Sequence, residues 1–173
     1  MLDLDSIVKL IETAKKPLLL LGDGVAWTNA TDLATKLAEK IGAKVYTADG
    51  GEINIPDNHP LNYGSTGHMF GESSLPITKD CDLCIALGCY LLPEVFPTLG
   101  EIFTQNAKVI HIDTNVNNIA KNHRVDLSIV AKSSTVLKTL LPKIERLPSS
   151  WHLKAQERKK LYEEKSPLYN NTI

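Results

Sequence analysis

Four consecutive leucines, Leu18 to Leu21, stand between Pro17 and the triplet Gly22-Asp23-Gly24. The run is too short to cross a bilayer and too uniformly apolar for a strand with one solvated face, so it predicts a strand buried on both faces. The two glycines let the backbone turn sharply with no Cβ in the way. A helical pattern begins a few residues later, at about Asn29. Strand, glycine turn and helix make the first half of a βαβ unit, and the rest of the chain repeats that unit.

Before this strand, Leu4, Ile7, Val8, Ile11 and Ala14 recur at helical spacing, with Asp3 or Asp5 as N-cap and Pro17 closing the run. After the glycine turn, a helix capped by Asn29 places Leu33, Ala34, Leu37, Ala38 and Ile41 on one face and stops at Gly42, in the C′ position. A second strand follows over 43–48. Residues 49–71, rich in Gly, Pro, Asn and His, are too long for a routine connection and mark a binding or interface segment, with room for a short edge strand near Tyr63. Leu83-Cys84-Ile85-Ala86-Leu87 is another fully apolar strand closed by a glycine, Gly88. Residues 90–105, with Pro93 and Pro97, carry no clear pattern. Strands over 108–112, ending at Asp113, and over 127–130 complete the series. A short helix is expected over 117–122, and Ser133 or Ser134 caps a last one carrying Val136, Leu137, Leu140 and Leu141, disturbed by Pro142.

Strands apolar on both faces and alternating with helices define an α/β, doubly wound, Rossmann-like parallel sheet of five to six strands, joined by right-handed crossovers, with helices on both faces. The domain is expected over 1–147. From Pro148 the character changes, and residues 154–165 are charged with helical composition. They read either as an arm that needs a partner to pack on or as a solvated terminal helix.

The charge balance narrows the function classes. Nineteen basic against twenty acidic residues leave a net charge of −1, so no overall field draws the chain to nucleic acid or to an anionic membrane, and neither is expected as a partner. No apolar run approaches the roughly 20 residues a bilayer span needs. The start, Met1-Leu2-Asp3-Leu4-Asp5, lacks the basic and apolar regions of a secretory signal, so the expected compartment is the cytoplasm.

Cys81-Asp82-Leu83-Cys84 matches Cys-x-x-Cys, a redox or zinc signal in some contexts. Residues three apart on a strand point to opposite faces, which argues against both. With Cys89 the set reads as reduced, buried, structural thiols. The five histidines, His59, His68, His111, His123 and His152, show no metal-binding spacing, and no serine sits in a Gly-x-Ser-x-Gly elbow. His111, between apolar neighbours on a strand, reads as a hydrogen-bonded structural residue. Gly22-Asp23-Gly24 opens a Gly-x-Gly-x-x-Gly pattern whose third glycine is replaced by Trp27. The bulky ring argues against ordinary NAD binding, although Asp49 lies where a ribose ligand would. Two readings stay open for the turn: a nucleotide of some kind at the carboxyl ends of the strands, or glycines needed only for packing.

A series of segments then gives a resemblance: Pro17-Leu-Leu-Leu-Leu-Gly-Asp-Gly-Val, Leu37-Ala-Glu-Lys-Ile-Gly-Ala-Lys-Val, Pro56-Asp-Asn-His-Pro-Leu, Tyr63-Gly-Ser-Thr-Gly-His, Cys81-Asp-Leu-Cys-Ile-Ala-Leu-Gly and Val109-Ile-His-Ile-Asp. In this order it resembles the central domain of the thiamine diphosphate-dependent decarboxylases and acetolactate synthases, over about residues 4–141. The resemblance implies an oligomeric three-domain parent in which the N- and C-terminal domains bind thiamine diphosphate and Mg2+ between subunits. The middle domain braces them and in some members binds FAD or ADP. Residues 148–173 then resemble the linker toward the C-terminal domain.

On this resemblance no residue of the chain is catalytic and none holds a metal. The Gly-Asp-Gly of the family's magnesium motif ends in an asparagine pair, where this chain has Ala48-Asp49-Gly50-Gly51. The positions similar to those of flavin-binding members are Gly22, Gly24, Gly64, Gly67, Gly88 and Asp113. The sequence departs from them after Gly88, where Cys89-Tyr90-Leu91 stands in place of an arginine, and at Asn115, where a second acidic residue is usual. Loss of a charge-assisted contact to a diphosphate costs about 1.5–3 kcal/mol. An empty, structural domain is therefore expected over a flavin site, with an independent FAD, ADP or NAD module as the alternative.

Overall fold

The computed structural model describes residues 4–48, 50–67, 70–92 and 100–145, together with 157 and 160. Six parallel strands form one sheet in the order β3-β2-β1-β4-β5-β6. They are β1 (Pro17–Leu21), β2 (Lys44–Thr47), β3 (Asn62–Ser65), β4 (Leu83–Leu87), β5 (Lys108–Asp113) and β6 (Leu127–Val130). The helices are α1 (Leu4–Thr13), α2 (Gly24–Trp27), α3 (Thr31–Ile41), α4 (Leu75–Lys79) and α5 (Ser133–Leu140).

The leucine strand is central, paired with β2 on one side and β4 on the other. All four leucines are completely buried. Leu19 and Leu21 join Ile85, Leu87, Ile110 and Ile112 in a layer covered by α1, α3 and α5 through residues such as Ile7, Leu37 and Leu137. Leu18 and Leu20 face the other way, with Cys84, Ala86 and Val109, toward Phe70, Leu91, Ile102 and Phe103, while Leu75 and Ile77 of α4 pack at its margin. Burying each leucine contributes about 1.5–3 kcal/mol, so a polar residue anywhere in β1 would damage one layer or the other.

Several local expectations change. Asn29 does not cap a helix. It adopts φ +53° at the end of the short α2, its N–H donating to the Ala26 carbonyl, and α3 starts two residues later. Gly42 does close α3 in the left-handed conformation, φ +64°. No serine side chain caps α5: extended Lys132 is the N-cap and Ser133 is the first helical residue. Residues 117–122 form turns and bends instead of a helix: the Asn118 and Ile119 N–H groups donate three residues back, to the Asn115 and Val116 carbonyls, and Ala120 at φ +53° breaks the helical path. Helix α4 and the 3-10 turn Glu72–Ser74 before it carried no sequence signal strong enough to place them. The edge strand near Tyr63 is present as β3. Asp49, Asp3, Pro93, Pro97 and nearly all of 148–173 lie outside the described residues.

The three cysteines are free and buried. The opposite-face argument for Cys81 and Cys84 does not hold, since both sit in the same apolar layer. Cys81 precedes β4 on a turn, where strand alternation does not apply, and its thiol donates to the Thr78 carbonyl at 3.2 Å. Burial pushes the Cys81 thiol up to about 12, aided by the Asp82 charge, and lifts Cys89 to about 12 and Cys84 well above the ordinary thiol value.

Candidate functional site

In a sheet of this order the chain leaves β1 toward β2 and later returns to the other side as β4. The loops after β1 and β4 therefore diverge, and a crevice opens at the carboxyl ends of the strands. It holds about 320 Å³. Asp23, Gly24 and Trp27 line it from the β1 side, Gly88 to Tyr90 from the β4 side, and Asp113 to Asn115 with Asn118 from the loop after β5.

The glycine turn is built by backbone packing. The Gly22 N–H donates to the Leu87 carbonyl at 3.0 Å and the Gly24 N–H to the Gly88 carbonyl at 2.9 Å. A Cβ on Gly22 would lie 2.5 Å from the Gly88 oxygen, and one on Gly24 would lie 2.7 Å from the Gly88 Cα. Gly88 itself has φ +56°, and its added Cβ would meet the Gly24 carbonyl carbon at 2.6 Å. The three glycines thus let two loop backbones touch. The two glycine N–H groups that a diphosphate would need are already engaged.

The carboxylates are also occupied. Asp23 accepts from the N–H groups of Gly51 and Glu52, both at 3.0 Å, and from Asn54 Nδ2 at 3.2 Å. Partial burial works to raise the Asp23 pKa, but these three donors outweigh it and hold the carboxyl below the usual range. Asn54, itself buried, accepts from the Ala26 N–H and so ties residues 50–54 to α2. Asp113 is buried and accepts from the Asn115 N–H at 2.6 Å.

Beneath the crevice His111 is completely buried, with Nε2 2.9 Å from the Cys89 carbonyl. That carbonyl can only accept, so Nε2 carries the proton. Nδ1 is then a bare acceptor, and it has no protein partner. Burial lowers the His111 pKa against the opposing pull of the Cys89 carbonyl and Asp113, which keeps the ring neutral. The expected structural hydrogen bond is present.

Of the six positions singled out in the sequence, Gly24, Gly88 and Asp113 line the crevice and Gly22 packs beneath it. Gly64 and Gly67 do not. They sit on and just after edge strand β3 at φ +102° and φ +91°, where the Asn62 and Ser65 side chains accept their N–H groups. Sequence reasoning missed Asn54 and Asn118, and gave Asp23 no role. The alternation Asp113-x-Asn115-x-Asn117 was a legible sign of side-chain-capped turns. A nucleotide diphosphate does not fit this crevice: two acidic side chains line it, no lysine or arginine does among the described residues, and its glycine donors are spent. Nor do the described residues contain a cluster of three metal-type side chains.

Fold and site together define a doubly wound α/β domain with a crevice at the carboxyl ends of its strands, lined by two carboxylates and no cation among the described residues. The chain belongs to the family described as "Thiamine pyrophosphate enzyme, central domain", whose profile matches residues 4–140. It is 33% identical over 166 residues to a probable acetolactate synthase large subunit of Methanocaldococcus jannaschii, covering 92% of this chain and 28% of that protein. It is 31% identical over 143 residues to a sulfoacetaldehyde acetyltransferase of Roseovarius nubinhibens, covering 82% of this chain and 24% of that protein. The fold matches the benzoylformate decarboxylase of Polynucleobacter necessarius with a TM-score of 0.76 at 21% identity, over 86% of this chain and 28% of that one. The chain therefore spans less than a third of the length of these relatives. None of these matches describes a free-standing nucleotide-binding module. No helix among the described residues is long and apolar enough to cross a membrane.

Proposed function

We propose that this chain is the bracing central domain of a cytoplasmic, homo-oligomeric thiamine diphosphate-dependent enzyme acting on 2-oxo acids, as a decarboxylase or an acetolactate synthase-like transferase. Residues 1–147 form the domain, and 148–173 lead toward a C-terminal domain. Thiamine diphosphate and Mg2+ are held by the N- and C-terminal domains of the parent, outside this chain. Gly22, Gly24, Gly88 and Asp113 mark a vestigial nucleotide crevice, and Gly64 and Gly67 serve the edge strand. FAD or ADP is not part of the working domain.

The observation that carries this reading is the contact of the Gly22-Asp23-Gly24 turn with Gly88, which spends the glycine N–H groups on the carbonyls of the β4 end. A turn whose glycine donors are spent on packing supports a shape-holding role.

Calorimetry and mass spectrometry test it. The purified chain is expected to be colourless, to release no FAD, ADP or NAD on heat extraction, and to leave pyruvate and benzoylformate unchanged. Turnover should require the companion domains. Micromolar binding of thiamine diphosphate to the isolated chain would refute the proposal, and a co-purifying nucleotide would refute the empty crevice.

A further inference from the structure

The two carboxylates of the crevice are not equivalent. Asp23 spends both oxygens on three donors from residues 51–54. Asp113 is only 5% exposed, yet it has a single partner: Oδ1 accepts from the Asn115 N–H, and no donor among the described residues reaches Oδ2. That second oxygen is not sealed in the core, where His111 Nδ1 is the side-chain polar atom left both inaccessible and unbonded among the described residues. Asp113 lines the crevice, so Oδ2 opens on it.

A carboxylate buried this deeply is ordinarily matched by a cation or by several donors. Here neither is at hand. Among the described residues no lysine or arginine lines the crevice, His111 beneath it is held neutral, and the Cys89 thiol, pushed up to about 12, carries no charge to offset. Two negative charges between low-dielectric walls focus a field that gathers cations. The crevice also offers an aromatic wall. The Tyr90 ring already has the Lys121 ammonium 4.9 Å from its centroid, whereas the Trp27 indole is 72% exposed and no cation among the described residues stands over it. An indole face is the best aromatic surface for a positive charge.

We infer that the crevice is a binding site for a small organic cation, a primary ammonium compound whose N–H groups bond Asp113 Oδ2 while its carbon chain lies along the Trp27 indole. The ammonium group supplies the donors and the charge that Asp113 lacks, and about 320 Å³ holds a short carbon chain beside it. A bare metal ion is a poorer match, because the described residues bring no three metal-type side chains together. A diphosphate is repelled by the same two carboxylates. Binding of this kind goes beyond the bracing role and leaves it standing.

Calorimetry and heteronuclear NMR on the 173-residue chain test this, with n-butylammonium as the probe and n-butanol as its neutral counterpart. Saturable binding of the amine is expected in the millimolar range or tighter, weakening as salt is raised, with the Trp27 indole and Asn118 amide signals shifting together and no response to butanol. Asp113→Asn keeps an acceptor for the Asn115 N–H and should weaken the amine about tenfold or more, the size of one charge-assisted hydrogen bond. Trp27→Leu, at an exposed position, should keep the wild-type urea midpoint and weaken the amine about two- to fivefold. No saturable binding, or binding that Asp113→Asn leaves unchanged, would overturn the cation site without touching the bracing function. Equal uptake of butanol would reduce the crevice to an apolar hollow and overturn it too. Displacement of the amine by Mg2+ would overturn it in favour of a metal site. Displacement by ADP would overturn both the cation site and the empty nucleotide crevice.

Discussion

Replacing Gly88 tests the central packing claim with a magnitude that can be worked out in advance. At φ +56° an L-residue carries the left-handed penalty, about 1–2 kcal/mol. Its Cβ would also stand 2.6, 2.7 and 2.8 Å from Gly24 C, Gly24 Cα and Val25 N, all backbone atoms with no flexible end to yield. Forcing such a contact adds about 1–3 kcal/mol. Gly88→Ala should therefore destabilise the chain by about 2–5 kcal/mol, a large share of the roughly 5–15 kcal/mol that holds a domain folded. Gly24→Ala meets the same contact from the other side without the left-handed penalty, so it should cost about 1–3 kcal/mol. Gly71→Ala is the control: its backbone is extended at φ −146° and no atom lies within 4 Å of the added methyl. There the loss of unfolded-chain freedom should stabilise by about 0.4–1 kcal/mol. Urea unfolding followed by far-UV circular dichroism reads all three. With a slope near 2 kcal/mol per M, Gly88→Ala should unfold at about 1–2.5 M less urea. In Gly24→Ala/Gly88→Ala the two methyls press on one gap, so the double variant should lose less than the sum. A Gly88→Ala midpoint within experimental error of Gly71→Ala would refute the reasoning, because it would mean the two loops part at no cost.

Asp23→Ala should loosen residues 50–54 and cost about 1–3 kcal/mol, read by urea midpoint, since it strands the buried Asn54 amide and gives up the bonds that hold the exposed Gly51 and Glu52 N–H groups. The Asp23 pKa is depressed in the fold, so the stabilisation it gives is complete above its ordinary 3.8 and is lost as pH falls through the lower folded value. The His111 pKa is likewise depressed, so its contribution is complete above 6.5 and lost as pH falls below that toward the folded value. Wild-type stability should fall below pH 6.5 with a slope that His111→Gln flattens, a window separate from that of Asp23. Native Ellman titration should find none of the three thiols reactive within minutes, and all of them in 8 M urea, because buried thiols pushed toward 12 hold almost no thiolate at neutral pH.

The sheet was legible because its strands carry their burial in their composition. Leu18 to Leu21 and Leu83 to Leu87 are apolar at every position, and only a strand covered on both faces accepts that pattern. The helices were legible where the apolar stripe was long, as in α1 and α3, and not where it was short. The five residues of α4 offer one turn and little more, too few for a period to show. Helix ends failed for a different reason. Asn29 and Ser133 are residue types that favour caps, yet in the fold Asn29 takes a left-handed turn and Ser133 moves inside the helix, choices set by how α2 and the β6 loop meet the sheet. At the site, the glycines announced a tight turn, but sequence cannot say what approaches a glycine. Here the approaching group is the backbone at Gly88, at the end of β4, which takes up the Gly22 and Gly24 turn by direct contact. Asn54 was invisible for the same reason. Its importance comes from meeting Asp23 across 31 residues of chain, a coincidence in space that no local pattern encodes. The residues a sequence reader would choose for chemistry are thus consumed in holding the loops together, while Trp27, which broke the motif, is the side chain the fold leaves available for contact.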